Sequence, residues 1–158
     1  YATPLRYGVF NEENEAKAVE NYVETVKAAN YTITSGFSGT PNLVPVLTKY
    51  GYVDDAYKLF EQTDYASWLY PVTQGATSIW ERWNSYTLAT GFGDVGMNSF
   101  NHYAYGAVQE WMYRHVAGIE VDENAPGFAR VILQPKPDTR TDAEMRKHLS
   151  PLRCICPY

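Results

Sequence analysis

Residues Gly75 to Tyr103 read GATSIWERWNSYTLATGFGDVGMNSFNHY. A carboxylate, Glu81, stands between Trp80 and Trp83 with Arg82 beside it, and His102 follows at the mouth of a predicted helix. Carboxylates that do chemistry, indole faces that hold an apolar sugar face and polar groups that orient hydroxyls make up the inventory of a carbohydrate site. Set between two indoles, the Glu81 carboxyl is expected to rise in pKa, while Arg82 opposes the shift. If residues 77–83 run extended, Glu81 and Trp83 share a face; if they are helical, Trp80 and Trp83 do. The bland alternative is a surface Glu81 with both indoles turned into a core.

Working outward, the glycine-rich stretch from Thr87 to Met97 lacks helical periodicity and reads as a long loop, the kind that is usually functional. Asn98 or Ser99 is expected to cap a helix from Phe100 to about Ala117, ended by Gly118. Its buried stripe would be Tyr103, Ala104, Ala107, Val108, Trp111, Met112 and His115. In the first turn His102 would meet the positive end of the helix dipole, which favours a neutral ring able to bond a sugar hydroxyl. The plain alternative is a helix-terminal histidine satisfied by Asn98 or Ser99.

Upstream, residues 12–29 form an amphipathic helix, with Asn11 as cap, glutamates in the first turn and a stripe of Ala16, Val19, Tyr22, Val23 and Val26. Tyr1 to Phe10 reads as extended or loop, broken by Pro4 and Gly8. Thr40 as cap and Pro41 in the first turn open a short helix over Asn42 to Tyr50, ended by Gly51. Asp54 is expected to cap a second one to about Gln62 that buries Ala56, Leu59 and Phe60, so the two make an αα-hairpin. Asp64 to Gly75 reads as loop. Downstream, Phe128 to Leu133 is the one convincing strand, stopped by Pro135 and Pro137, and from Thr139 onward no partner element is visible. Paired helices followed by an orphan strand imply a chain that begins inside a larger helical domain and enters a β domain.

Composition narrows the function classes. The chain is 158 residues long, 45% hydrophobic and 20% charged, with a net charge of −5 and scattered basic residues. This excludes a disordered chain and disfavours nucleic acid or an anionic membrane as partner. No apolar run approaches the ~20 residues of a membrane span, and no secretory signal opens at Tyr1. Fourteen tyrosines and four tryptophans suit sugar stacking, but equally cores and interfaces. Both cysteines, Cys154 and Cys156, lie in the tail without the other ligands of a zinc site, so no metal is expected. Asp54, Asp55 and Asp64 read as caps and loop residues rather than a second catalytic carboxylate. Ser78 and Ser99 lack a nucleophile-elbow context, and Gly91-Phe92-Gly93 lacks that of a phosphate loop.

Three segments, SGFSGTPNLVPVLTKYGYVDDAY, YASWLYPVTQGATSIWERWNSY and NSFNHYAYGAVQEWMYRHVAGI, resemble the last part of the catalytic domain of bacterial α-L-rhamnosidases. The resemblance runs from about Ile33 to Pro137 and is most specific at residues 75–83 and 101–103. It implies a mainly α fold: a partial (α/α)6 toroid of the six-hairpin glycosidases over residues 1–118. The first strand of a C-terminal β-sandwich would fall in residues 119–140, which would account for the strand's solitude, and an atypical tail, truncated or frameshifted, would occupy 141–158. It implies Glu81 as the general base of an inverting hydrolysis, His102 as a rhamnose contact with Trp83 and Trp80 beside it, α-L-rhamnosides as ligands and no cofactor. The family's general acid lies in an acidic motif near the start of the toroid that nothing here matches, so these residues alone are expected to be inactive. A non-catalytic carbohydrate-binding remnant, a six-hairpin glycosidase for another sugar and a purely structural helical module stand as alternatives.

Overall fold

The structure, a computed structural model, describes residues 1–138, residue 140 and the backbone of 154–157. It forms two compact units, Tyr1–Val108 and Gln109–Tyr158.

The first unit is built on short helices. α1 (Ala2–Arg6) replaces the expected loop at the start. Pro4 is no obstacle there, because the first turn of a helix leaves its N–H groups unbonded anyway. α2 (Glu12–Ala28) matches its sequence signature: Asn11 accepts from the Asn14 amide at 3.0 Å, and Glu12, Glu13 and Glu15 occupy the first turn. Its buried face holds Ala18, Val19, Tyr22, Val23 and Val26, whereas Ala16 is exposed, a correction of one position at the edge of the stripe.

Tyr22 ties α2 to the next hairpin by donating its hydroxyl to Leu43 O at 2.9 Å, and burial pushes its phenol pKa up. That hairpin is a 3-10 turn (Thr40–Asn42) leading into α3 (Leu43–Lys49), then α4 (Val53–Phe60). Its inner face, with Val44, Val46, Leu47, Ala56 and Leu59 at 1% exposure or less, is the centre of the core, and Leu5 of α1 joins it. Two capping expectations are corrected. Thr40 is buried and hydrogen-bonds backward to Ser35 O and Gly36 O, stabilising the preceding loop rather than the helix after it. Asp54 lies inside the first turn of α4, and the cap position falls on Tyr52, whose carbonyl takes the Ala56 amide.

Beyond α4 the chain turns irregular, as expected from its sequence, but with two small elements inside it. These are α5 (Tyr70–Thr73) and a tight hairpin of β1 (Tyr86–Thr87) with β2 (Gly91–Phe92). The helix expected from Phe100 is the larger correction. Residues 98–103 are not helical; a 3-10 turn runs Ala104–Ala107, α6 spans Val108–Trp111, and a π-helical turn closes at Met112–Val116. The reason is competition for backbone partners. His102 N donates to Ile79 O and Glu81 N donates to Ser99 O, both at 2.8 Å, so these groups pair across segments instead of starting a helix. Tyr103, placed in the buried stripe by periodicity, is 88% exposed; Ala107 and Met112 are exposed too, and the buried residues are Tyr105, Val108 and Trp111.

In the second unit, Gly118 takes φ +66, as its expected role beyond the helix end requires. The strand expected at Phe128–Leu133 is observed as β4 (Arg130–Leu133), but it is not solitary. It is the middle of an antiparallel sheet, between β3 (Ile119–Val121) and β5 (Cys154–Pro157). Ile119 faces Leu133 on one side, and Leu133 faces Cys154 on the other. The tail therefore does supply a partner element at 154–157, and the rest of the expected atypical tail lies outside the described residues. Arg130 forms an ion pair with Asp122, whose carboxyl is held below its usual range, first by the Asn124 backbone N–H and further by Arg130.

Candidate active site

The residues singled out by sequence fall on two facing stretches of the first unit, 79–83 and 99–102, stitched by the two backbone bonds at Ile79 and Glu81. Residues 77–83 are not helical. The segment bends at 77–78 and 81–82 and turns at 83–84, so it is neither helix nor extended strand, and Glu81 and Trp83 both line an open cleft of about 320 Å³. Its other walls are Phe37, Tyr65, Arg82, Asn84, Met97 and Tyr105.

Glu81 is half-buried, and its Oε2 accepts from Ser99 N at 2.8 Å. Among the described residues no donor is bonded to Oε1, so one carboxylate oxygen is fixed and the other can accept. Ser85, fully buried, holds the turn behind it by donating its hydroxyl to Arg82 O at 2.9 Å. Arg82 turns its guanidinium to Gly96 O at 2.7 Å.

Trp83 is 9% exposed, so it is part wall and part core. Its ring stacks on Tyr105 at 3.8 Å and 18°, and meets Trp68 edge-on at 6.2 Å. Trp68 Nε1 donates to Tyr105 O at 3.0 Å, which locks the backbone beneath this stack. Burial, with Tyr65 nearby, raises the Tyr105 phenol pKa.

Trp80 and His102 are set differently. Trp80 is buried against Phe100 (5.3 Å, edge-on) and Tyr86, and is not part of the cleft lining. His102 stacks on Phe37 at 4.8 Å and 17°, so it stands behind a ring that does line the cleft. Its Nδ1 accepts from Ala104 N at 3.4 Å, a long bond. Neither Asn98 nor Ser99 satisfies it: Asn98 donates to Ser85 O and the Ser99 hydroxyl accepts from Asn101 N. Among the described residues no three His, Cys, Asp or Glu side chains gather closely enough to hold a metal ion.

A carboxylate with one oxygen fixed, beside a stacked indole in an open cleft, is competent to accept a proton from a water or a sugar hydroxyl. Residues 1–116 match the model of the bacterial alpha-L-rhamnosidase 6 hairpin glycosidase domain. The chain belongs to this family. An alpha-L-rhamnosidase of Formosa agariphila is 47% identical over 119 residues, 75% of this chain and 13% of the relative. The crystal structure of Streptomyces avermitilis alpha-L-rhamnosidase complexed with L-rhamnose superposes with a TM-score of 0.80 at 41% identity, over 87% of this chain and 13% of that one. That of native alpha-L-rhamnosidase from Aspergillus terreus gives 0.74 at 33%, over 85% and 17%. The chain thus spans between about an eighth and a sixth of the length of these rhamnosidases.

Within the rhamnosidase framework, sequence reasoning missed Phe37, Tyr65, Asn84, Met97 and Tyr105 as cleft residues. Phe37 had a signal: an aromatic flanked by Gly36 and Gly39 in a loop has no helix face to bury it. Tyr105 had none, because periodicity placed Tyr103 inside instead.

Proposed function

We propose that this chain carries the water-activating half of an inverting α-L-rhamnoside hydrolysis, with Glu81 as the general base. The observation that carries the reading is the Glu81 carboxylate, fixed through Oε2 by the Ser99 amide and set in a cleft walled by Trp83 and Phe37. Glu81 takes a proton from water as that water attacks the anomeric carbon. On the opposite face of the sugar an acid protonates the departing oxygen, with the two carboxyls about 6.5–9.5 Å apart to admit the water. Trp83 and Phe37 offer ring faces to the apolar side of the pyranose. His102, the rhamnose contact that the family resemblance implies, stacks on Phe37 and braces that wall of the cleft. Trp80 holds the 79–82 stretch from behind.

No residue of the chain matches the family's acidic motif, so the general acid is supplied from outside these 158 residues, and the chain alone hydrolyses no rhamnoside. Residues 1–118 belong in this reading to an (α/α)6 ring, and the strands from Ile119 on begin a β-sandwich.

The test is a hybrid in which this chain replaces the matching stretch of the Streptomyces avermitilis enzyme. It is assayed on an aryl α-L-rhamnoside beside its Glu81→Gln version, with circular dichroism to show that both are folded. Glutamine keeps an acceptor for the Ser99 amide but takes no proton, so turnover should fall by about 10²–10⁴-fold or more. Near-equal rates would mean that the base lies elsewhere. Binding of rhamnose without hydrolysis by an otherwise folded hybrid would favour a carbohydrate-binding remnant.

A further inference from the structure

Arg82 neighbours the proposed base, yet its guanidinium reaches fourteen residues along the chain, to Gly96 O at 2.7 Å. Gly96 N in turn donates to Asp94 Oδ1 at 2.9 Å, closing the loop on itself. The next residue, Met97, has φ +49, a left-handed conformation that a side chain other than Gly, Asn or Asp seldom adopts. Such a conformation persists only where its surroundings impose it. Two anchors flank it: Arg82 holds Gly96 before it, and Asn98 Nδ2 holds Ser85 O after it at 3.3 Å.

What this arrangement achieves is the placement of Met97 in the cleft lining. The other apolar walls are rings, namely Phe37, Tyr65, Trp83 and Tyr105. Met97 is the unbranched, polarizable exception, and at 77% exposure it is more exposed than any of them. It therefore stands at the exposed rim of the cleft rather than at the floor where Trp83 and Tyr105 stack. A thioether chain adapts to apolar groups of varied outline. General-base chemistry requires neither the tether nor the methionine.

We infer that Arg82 is a positioning residue and Met97 a specificity-determining one: the Arg82–Gly96 bond holds the 94–97 loop so that Met97 forms an apolar rim contacting an aryl or alkyl group attached to the sugar. This rests on the rhamnoside reading above. Met97 then favours glycosides with apolar aglycones over the free sugar, and Arg82, itself a cleft wall, acts on that preference through Met97.

The experiment is calorimetric titration of the folded hybrid described above, in its Glu81→Gln form so that the glycoside is not turned over, with L-rhamnose and with phenyl α-L-rhamnoside. Met97→Ala should weaken the phenyl glycoside about fivefold, the order expected when one or two methylene-sized contacts are withdrawn, and leave L-rhamnose within twofold. Arg82→Gln should do the same, and Arg82→Lys, which keeps a donor, should restore most of the loss. The double variant should be no weaker than Met97→Ala alone, because the two residues act through one contact. Equal losses for both ligands, or none for either, would overturn the inference while leaving the rhamnoside reading intact. A folded hybrid that binds neither ligand would sink the rhamnoside reading. In that case amide hydrogen exchange over 94–97 decides the tether: faster exchange in Arg82→Gln, reversed in Arg82→Lys, supports it, and unchanged exchange overturns it.

Discussion

Trp83 faces two demands at once, and replacing it with alanine separates them. The side chain is 9% exposed, stacked on Tyr105 at 3.8 Å and met edge-on by Trp68. A buried tryptophan removes about 150–250 Å² from water. At about 25 cal/mol per Å² that corresponds to roughly 4–6 kcal/mol, an upper bound because the unfolded chain already hides part of the same surface. Allowing about a quarter for that leaves roughly 3–4 kcal/mol, and the lost stack adds about 1 kcal/mol. The cavity contribution should be small, because the space vacated opens into the cleft and fills with water. Trp83→Ala should therefore destabilise the first unit by about 4 kcal/mol. With a urea m-value of about 2 kcal/mol/M, the unfolding midpoint drops by about 2 M. Should that leave no folded state to measure, Trp83→Phe keeps a ring on Tyr105 and should cost about 1–2 kcal/mol. Urea unfolding followed by far-ultraviolet circular dichroism reads both. A loss below about 1 kcal/mol for the alanine variant would refute the packing described, and Trp83 would then be a solvated cleft residue with no part in the core.

Two further predictions bear on backbone conformation and on pH. Gly51 (φ +86) and Gly118 (φ +66) are both left-handed, but a Cβ at Gly51 meets open space whereas one at Gly118 collides with the Gln134 carbonyl group. Gly51→Ala should cost about 1 kcal/mol from conformation alone, and Gly118→Ala clearly more in its own unit, as thermal unfolding of the two variants would show; equal losses would refute the close approach. His115, stacked on Trp111, has its pKa lowered to about 4, first by burial and then by Lys136. The unfolded chain takes up this proton near pH 6.5 and the folded one only near 4, so stability is full above about pH 6.5 and declines as pH falls toward 4. His115→Gln should flatten that part of the pH–stability curve, and an unchanged slope would show that another group is responsible.

Much of the scaffold was legible because it rests on short-range signals. Asn11 with a Glu-rich first turn, Gly51 after α3, Gly118 after the helical run and the apolar spacing of α2 are each local preferences that packing reinforced. The signals that failed are those that competed with a distant partner. Ser99 and His102 sit where a helix start was expected, but their backbone groups bond Glu81 and Ile79 about twenty residues away, and periodicity there described a helix that does not form. β4 looked solitary because β3 has only three residues and β5 lies about twenty residues further along the chain, so neither partner is visible until the sheet pairs.

The candidate site divides along the same line. Residues 75–103 offered the candidate carboxylate and its neighbouring indoles, and with the segments on either side the resemblance to the family, because covalent order and side-chain chemistry are carried by sequence. Which indole reaches the cleft was not. The turn at 82–85 and the pairing of 79–81 with 99–102 set Trp83 beside Glu81 and bury Trp80 against Phe100. Phe37 and Met97 enter the cleft from loops, and Tyr105 from a 3-10 turn, whose course depends on contacts with residues far along the chain. Side-chain identity is a local property, but a concave surface exists only where separate stretches are brought together, and only the folded chain decides that.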